Sequence, residues 1–275
     1  MNRGGKMMHI AIIGCGNMGT ALAKLLSPFH CTHLFDRNRE WTQELSKKTN
    51  GKACQNLQEA IEEAQIIFLA VKPQNLQEIA PIIEPHLNKE QILISLLAGT
   101  PLSVLQEAFS KSMNIRIMPN LAMQHGKGII GIVNSINISP DLKVTLEEIL
   151  APLGFLYWLK ESQIDALTSL ASSGPAFILT LIEAMIESGI AMGFQAKDAE
   201  LLTLHMMQGC LTMIQETEKH PAELKWKIAS PNGTTIAGLR VLEKENVRSG
   251  LMETFLAAYH RAQELSRNHV IPKKQ

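Results

Sequence analysis

The amino-acid sequence predicts an α/β protein in which a doubly wound, mainly parallel sheet is followed by an all-α domain. Two observations lead to this prediction. Short apolar runs alternate with amphipathic stretches over residues 9–159, as expected for parallel strands with helices on both faces. From Ser162 onward, long helical segments follow one another without a strand signal. We therefore predict a sheet domain over residues 1–160 and a helical domain over residues 161–275.

The individual elements follow from the spacing of apolar residues. Predicted strands cover 9–13, 32–35, 66–71, 92–97, 115–118, 128–133 and 154–159. Predicted helices of the sheet domain cover 17–26, 40–48, 57–64, 76–87, 101–109 and 142–150. Those of the helical domain cover 163–193, 196–218, 221–228, 234–243 and 247–267. We expect a break in the first of these at Gly174-Pro175, because proline lacks the helical N–H group.

Composition excludes several classes of function. Lysine plus arginine and aspartate plus glutamate both number 26, so charge gives no reason to expect nucleic acid or an anionic membrane as a partner. No run of 18 apolar residues predicts a membrane span, and the start lacks the apolar core of a signal peptide. The four cysteines show no Cys-x-x-Cys spacing, which favours reduced thiols in the cytoplasm. The nine histidines show no His-x-x-x-His pair, so we expect no metal site.

One helical stretch predicts self-association. Residues 178–192 are apolar on nearly every face of a helix. Such a helix is usually buried between other helices, and a subunit interface is the natural place for it. We therefore expect a homodimer through the helical domain, with a higher oligomer as a further possibility.

A glycine motif follows the first predicted strand and opens the first helix. It reads Gly14-Cys15-Gly16-Asn17-Met18-Gly19. Gly14 permits the tight turn, Gly16 lets a diphosphate approach the backbone, and Gly19 lets helix and strand pack closely. Together with the strand before it and the helix after it, the motif predicts a Rossmann-type dinucleotide site that includes Asn17 and Met18.

The residues after the second strand give conflicting indications about the cofactor. Asp36 stands where a carboxylate usually binds the free 2′-hydroxyl of NAD. Arg37 and Arg39 suit the 2′-phosphate of NADP, or they are solvated charges at a helix start. We expect NADPH as the cofactor, with NADH possible.

Residues that follow two further predicted strands are also expected near the dinucleotide site. Ala70-Val71-Lys72-Pro73 ends a strand on the same edge of the sheet and should line the cofactor site. Lys72 either contacts phosphate or ribose or faces solvent. Asn120 follows a later strand, where it either bonds the nicotinamide carboxamide or caps its own loop.

A late loop predicts an anion site. Ser230-Pro231-Asn232-Gly233-Thr234-Thr235 precedes an apolar-periodic run and should begin a helix. We expect its hydroxyls to bond the first free N–H groups, as in an ordinary N-cap. Those N–H groups and the positive end of the helix dipole also suit a carboxylate or phosphate.

Five segments together resemble the pyrroline-5-carboxylate reductase family. They appear in the family's order and span nearly the whole chain, and the last is the family's own signature. They are Ile-Gly-Cys-Gly-Asn-Met-Gly (13–19), Ala-Val-Lys-Pro-Gln (70–74), Arg-Ile-Met-Pro-Asn (116–120), Ser-Gly-Pro-Ala-Phe (173–177) and Ser-Pro-Asn-Gly-Thr-Thr-Ile-Ala-Gly-Leu (230–239).

The resemblance implies an activity and roles for residues. It implies a Rossmann domain, a dimerising helical domain, and reduction of the cyclic imine 1-pyrroline-5-carboxylate to L-proline by NADPH or NADH. The backbone amides of Gly233, Thr234 and Thr235 would bind the substrate carboxylate beside Asn232, and the Thr235 hydroxyl would bond the imine nitrogen. Ser230 would support the loop, and Glu218 matches a carboxylate near the site. The pocket would be shared between two protomers.

The chain departs from the family pattern at three places. The segment after Asn120 reads Leu-Ala-Met-Gln-His-Gly, Ala171 and Ser172 precede Ser173-Gly174-Pro175, and Asn232 replaces a glycine. Asparagine also tolerates left-handed backbone angles, so the last change leaves the loop conformation accessible. The first two changes affect the expected details of nicotinamide contact.

Two other classes of function compete with this interpretation. A 3-hydroxyacid or 6-phosphogluconate-type dehydrogenase shares the two-domain plan but uses a lysine on the long helix of its second domain. No lysine lies between Lys160 and Lys197, which argues against that class. A non-catalytic nucleotide-binding dimer would keep the glycine motif but would not need residues 230–235.

Overall fold

The computed structural model describes residues 7–135 and 138–268, apart from the side chain of Asn268. Two compact units are present: Met1–Ser172 with Tyr259–Gln275, and Ser173–Ala258. The units divide after Ser172, whereas the sequence places the domain boundary after residue 160. The reason is packing, since Ile164 belongs to the core of the first unit. The C-terminal stretch also returns to this unit, where Ser266 Oγ donates to Asp165 Oδ1 at 2.8 Å.

The first unit is built on one sheet of eight strands within the described residues. In chain order, its strands are β1 (His9–Ile13), β2 (Cys31–Phe35), β3 (Lys52–Ala53), β4 (Ile66–Leu69), β5 (Ile92–Ser95), β6 (Met113–Pro119), β7 (Gly128–Val133) and β8 (Gly154–Leu159). Their spatial order is β3-β2-β1-β4-β5-β6-β7-β8. Every neighbouring pair is parallel except β6 and β7. The predicted doubly wound, mainly parallel fold is confirmed.

Helices cover both faces of this sheet. They are α1 (Asn17–Leu26), α2 (Arg39–Thr49), α3 (Leu57–Ile61), α4 (Leu76–Ile83), α5 (Leu102–Ala108), α6 (Pro140–Leu150) and α7 (Ile164–Leu167). Alternate strand residues point to opposite faces, so Ala11 and Ile13 join one core with α3, α4 and α5. Ile10 and Ile12 join a second core with α1 and α6.

The predicted break near Pro175 takes the form of a π-helical segment. Residues Thr168–Ser173 are π-helical, and α8 (Gly174–Ala191) begins directly after them with Pro175 in its first turn. Proline supplies no N–H group to the turn before it, and the Ala171 carbonyl, four residues earlier, accepts from Asn120 Nδ2 instead. The backbone therefore changes before the proline rather than at it.

The second unit is helical, as predicted. After α8 come α9 (Ala196–Thr217), α10 (Pro221–Ile228), α11 (Thr234–Lys244) and α12 (Val247–Asn268), whose end belongs to the first unit. Large apolar side chains on α8 and α9 are exposed, among them Leu179, Ile190 and Leu211. The helical stretch Glu161–Ala191 is long and apolar enough to cross a membrane by length and composition alone, since an 18-residue window of it has a mean hydropathy of 1.5. Only 17% of that window is buried, so it carries apolar surface that a partner could cover.

Candidate active site

Gly14 forms the tight turn between β1 and α1. Its backbone has φ +96°, a conformation that favours glycine, and its N–H donates to the Phe35 carbonyl at 2.8 Å. A side-chain carbon here would lie 2.8 Å from the carbonyl carbon and oxygen of Ala70. The backbone that follows β4 therefore passes so close to Gly14 that only glycine fits there, which agrees with its expected role in the tight turn.

Gly16 and Gly19 differ in what surrounds them. A side-chain carbon at Gly16 would meet no heavy atom within 4 Å, so the space in front of this N-cap residue is open. A side-chain carbon at Gly19 would overlap the Gly14 carbonyl oxygen. Among the residues that the structure describes, no side chain caps α1, so the amides of its first turn, which includes Asn17 and Met18, can bind an anion. These residues fit the diphosphate of a dinucleotide.

Asp36 holds the glycine loop in place. Its Oδ2 accepts from the Cys15 N–H at 2.7 Å, and its Oδ1 accepts from the Asn38 N–H at 2.9 Å. Each carboxylate oxygen keeps a second lone pair, so contact with a ribose is still possible. Burial, together with the smaller effect of the nearby Asp36 charge, raises the pKa of the Cys15 thiol to about 12.

The two arginines beside Asp36 lie on the surface. Arg37 forms an ion pair with Glu78 at 3.2 Å, and both side chains are about 60% exposed. Arg39 begins α2 directly after its N-cap residue Asn38. Within residues 7–135 and 138–268, no ion pair involves Arg39, so its guanidinium is available to a phosphate.

The carboxyl end of β4 lies beside that of β1. The Ala70 N–H donates to the Ile13 carbonyl at 2.8 Å, which brings Ala70 and Val71 to the glycine loop. Lys72 is exposed and precedes the 3₁₀ turn Pro73–Asn75. Gly14, Asp36 and Ala70 therefore follow the carboxyl ends of three neighbouring strands, β1, β2 and β4. Nucleotides bind at the carboxyl ends of parallel strands in α/β proteins.

The side-chain amide of Asn120 forms hydrogen bonds with two other segments of the protein. Its Nδ2 donates to the Ala171 carbonyl at 2.8 Å, and its Oδ1 accepts from the Ile129 N–H at 3.1 Å. The residue is buried, and Ser172 Oγ donates to the neighbouring Pro119 carbonyl at 3.2 Å. The capping alternative accounts for Asn120, which holds the π-helical segment against the end of β6. A contact with the carboxamide would need one of these bonds to break.

The late loop corrects one prediction. The N-cap residue of α11 is Gly233, and no side chain within residues 7–135 and 138–268 caps this helix, so the expected bonding of its N–H groups by the loop hydroxyls is wrong. The first helical bond runs from the Ala237 N–H to the Gly233 carbonyl at 3.3 Å. Among the described residues, no acceptor bonds the N–H groups of Thr234, Thr235 or Ile236. A free carboxylate fits these amides.

The conformation of this loop depends on Asn232 and Ser230. Asn232 has φ +59°, the left-handed conformation that asparagine tolerates. The Gly233 N–H donates to the Ser230 carbonyl at 3.1 Å, so this amide, which the resemblance assigns to the substrate carboxylate, is already bonded, and Ile236 offers a free amide in its place. A side-chain carbon on Gly233 would overlap Ser230 Oγ, so Ser230 packs directly under the turn.

Thr235 also lines a cavity inside the helical unit. The cavity has a volume of about 240 Å³ and mostly apolar walls. Its other lining residues are Cys210, Met213, Ile214, Pro221, Leu224, Lys225 and Ile228. A cavity of this size with mostly apolar walls suits a small carbon ring.

Glu218 ends α9 in the left-handed conformation, with φ +53°. Its N–H donates to the Ile214 carbonyl at 3.1 Å, and its side chain is exposed. Lysines gather in the next segment, where a hydrogen bond and charge repulsion from Lys219 lower the pKa of Lys227. The structure thus gives Glu218 a role in ending the helix, close in sequence to a cationic surface.

Comparison with known proteins gives the family. Residues 161–265 match the family model described as pyrroline-5-carboxylate reductase dimerisation, and residues 9–99 match one described as NADP oxidoreductase, coenzyme F420-dependent. Pyrroline-5-carboxylate reductase of Synechocystis is 36% identical over 81% of this chain and 83% of its own length. The enzyme of Methanosarcina acetivorans is 34% identical over 94% of this chain and 98% of its own length.

The chain belongs to the pyrroline-5-carboxylate reductase family. Its fold agrees with a crystal structure of the Plasmodium falciparum family member with NADP bound. That structure has a TM-score of 0.86 and 25% identity, and the match covers 95% of this chain and all of the other. The predictions of an oxidoreductase and of a nicotinamide nucleotide cofactor are confirmed. The helical domain is the part that matches the family's dimerisation region.

Proposed function

We propose that the chain reduces 1-pyrroline-5-carboxylate to L-proline with NADPH, as the sequence predicts and as the family's name indicates. The free amides at the start of α11 carry the proposal, because they provide a carboxylate site beside Thr235. The rival dehydrogenase classes find no support, since α8 contains no lysine to act as their acid and base.

The chain's own groups bind and orient the substrate. The amides of Thr234, Thr235 and Ile236 hold the carboxylate, and the Thr235 hydroxyl directs the imine nitrogen. When bound, the reduced nicotinamide supplies the hydride. A protonated imine accepts a hydride readily, so hydroxyls and amides suffice without a strong general acid in the protein.

The preference for NADPH rests on charge. Arg39 is free for a 2′-phosphate, and the Arg37–Glu78 pair is exposed enough to exchange for one. Asp36 already accepts two backbone N–H bonds, which weakens the reason to assign it to a free 2′-hydroxyl. These observations favour NADPH over NADH.

The functional unit is proposed to be a homodimer through the helical domain. Exposed apolar side chains on α8 and α9, such as Leu179 and Leu211, supply the surface that a partner would bury. Sedimentation of the purified chain should show at least a dimer, and a chain that stays monomeric at micromolar concentration would contradict this.

A steady-state assay with 1-pyrroline-5-carboxylate and each nicotinamide cofactor tests the reaction. We expect cofactor oxidation with formation of proline, and a larger kcat/KM with NADPH. Oxidation with other cyclic imines but not with this one would overturn the assigned substrate. Tight nucleotide binding without turnover would instead favour the non-catalytic dimer.

A further inference from the structure

Three potential metal ligands meet at the amino end of the sheet, away from the nucleotide edge. They are His9 at the start of β1, His33 within β2, and Glu63 in the turn before β4. One ligand atom from each lies within 4.8 Å of the others. In the register of the sheet His33 pairs with Ala11, so the two histidines are diagonal neighbours on the same face.

The spacing of the two imidazoles suits a shared metal ion. His9 Nδ1 lies 3.4 Å from His33 Nε2, and the rings are edge to face. Two nitrogen atoms bound at ~2.05 Å to one tetrahedral zinc ion lie roughly 3.3–3.4 Å apart. The observed separation is long for a direct hydrogen bond, for which about 2.9–3.0 Å is usual. The nitrogens are therefore already placed as ligands.

The carboxylate completes a set of three ligands. Glu63 Oε2 lies 3.8 Å from His9 Nδ1, and its side chain is 67% exposed, so it can move to close the site. His33 is buried in the sheet, whereas 44% of the His9 side chain is exposed. Solvent thus reaches the site, and water can fill a fourth position.

The cation beside His33 in the sheet register is already paired. The Lys52 ammonium group forms an ion pair with Glu59 at 3.1 Å, which offsets its repulsion of a metal ion.

We propose that His9, His33 and Glu63 form a site for a first-row divalent metal ion, with Zn²⁺ as the best fit to two imidazoles and one carboxylate. The ion would join β1, β2 and the turn before β4. The five residues of β1 separate it from the glycine loop by roughly 15 Å along the strand. The site is thus structural and independent of the proposed reaction.

Zinc titration of the untagged, chelator-treated protein tests the site. Isothermal calorimetry should show one Zn²⁺ per chain, and His9→Asn and Glu63→Gln should each weaken binding by at least about 10-fold. Glu62→Gln and His86→Asn are matched controls, because they remove an exposed carboxylate and an exposed imidazole outside the cluster. Both controls should bind as the parent does.

A second measurement reports geometry. Co²⁺ in the parent protein should give the strong visible absorption of four-coordinate cobalt, and both ligand variants should lose it. Both variants change exposed or half-exposed side chains, so they should fold even if a change at buried His33 does not. The proposal fails if the parent binds no Zn²⁺, if the ligand variants bind as the parent does, or if the controls lose binding equally.

Discussion

The glycine loop (residues 14–19) and the late loop (residues 230–235) have similar local structures in different surroundings. Each begins a helix with glycine at the N-cap, Gly16 for α1 and Gly233 for α11, and in the described part of the chain neither helix has a side-chain cap. Both therefore leave amides free for an anion. The first loop is set in a buried sheet, whereas the second lies among largely exposed helices.

The difference shows how a binding loop can be held in shape. The first loop is held by backbone packing at Gly14 and Gly19 and by the Asp36 carboxylate. The second is held by one left-handed residue, Asn232, and by the packing of Ser230. Changes in the first loop should therefore cost folding stability, and changes in the second should chiefly cost substrate binding.

Gly14→Ala should produce the largest effect. The new methyl group meets the Ala70 backbone at 2.8 Å, and φ is +96°, so we expect a loss of about 3 kcal/mol or more in urea unfolding. Gly16→Ala is the matched control, because its methyl group meets nothing within 4 Å. It should weaken NADPH binding while stability changes by less than about 1 kcal/mol. Equal stability losses would contradict the contrast between the two glycines.

Thr235→Ala should lower kcat/KM for 1-pyrroline-5-carboxylate by about 10–100-fold, as expected for loss of a hydrogen bond to a charged group. Thr235→Ser should restore most of the activity. Thr254→Ala is the control, because that exposed hydroxyl only donates to the Gly250 carbonyl of its own helix. A Thr235→Ala enzyme within twofold of the parent would remove this residue from the mechanism.

Arg39→Ala should distinguish the two cofactors. Loss of a phosphate partner should raise KM for NADPH by about 5–10-fold, which corresponds to about 1–1.4 kcal/mol, and leave KM for NADH nearly unchanged. Arg261→Ala, which removes an exposed arginine on α12, should change neither value. Equal changes in KM for both cofactors would show that Arg39 does not bind the 2′-phosphate.

Asn232→Gly should have the smallest effect. Glycine adopts the φ of +59° at no steric cost, so kcat/KM should stay within about threefold and stability within about 0.5 kcal/mol. Asn232→Val cannot adopt this conformation without strain and should raise KM for the substrate. If both variants behaved alike, the left-handed turn would be irrelevant to binding.

Much of the fold follows from local patterns, which explains where prediction succeeds. Strands β1, β7 and β8 have the predicted bounds because their apolar runs are flanked by glycine or polar residues. The two-residue strand β3 was missed, since Lys52–Ala53 is too short and too exposed to show a period. The π-helical segment depends on bonds from Asn120 and Ser172, which link residues about fifty positions apart.

The candidate sites show the same limit. Gly14, Gly16 and Gly19 lie in one short motif, so their roles follow from the sequence. The capping of α11 was predicted wrongly because a hydroxyl near a helix start does not reveal where it points. The expectation of no metal site rested on spacing along the chain, whereas His9, His33 and Glu63 come together only through the sheet register.

The buried cysteine in the glycine loop bears on how the protein withstands oxidants. Because burial raises the pKa of the Cys15 thiol to about 12, very little of it is ionised at pH 7, and the thiolate is the form that peroxide attacks. Peroxide should therefore spare Cys15 in the folded protein and modify it only after unfolding, which mass spectrometry of the two states would show. Burial of Cys15 thus protects a thiol within the glycine loop, and we expect that loop to keep its shape under oxidants that modify exposed thiols.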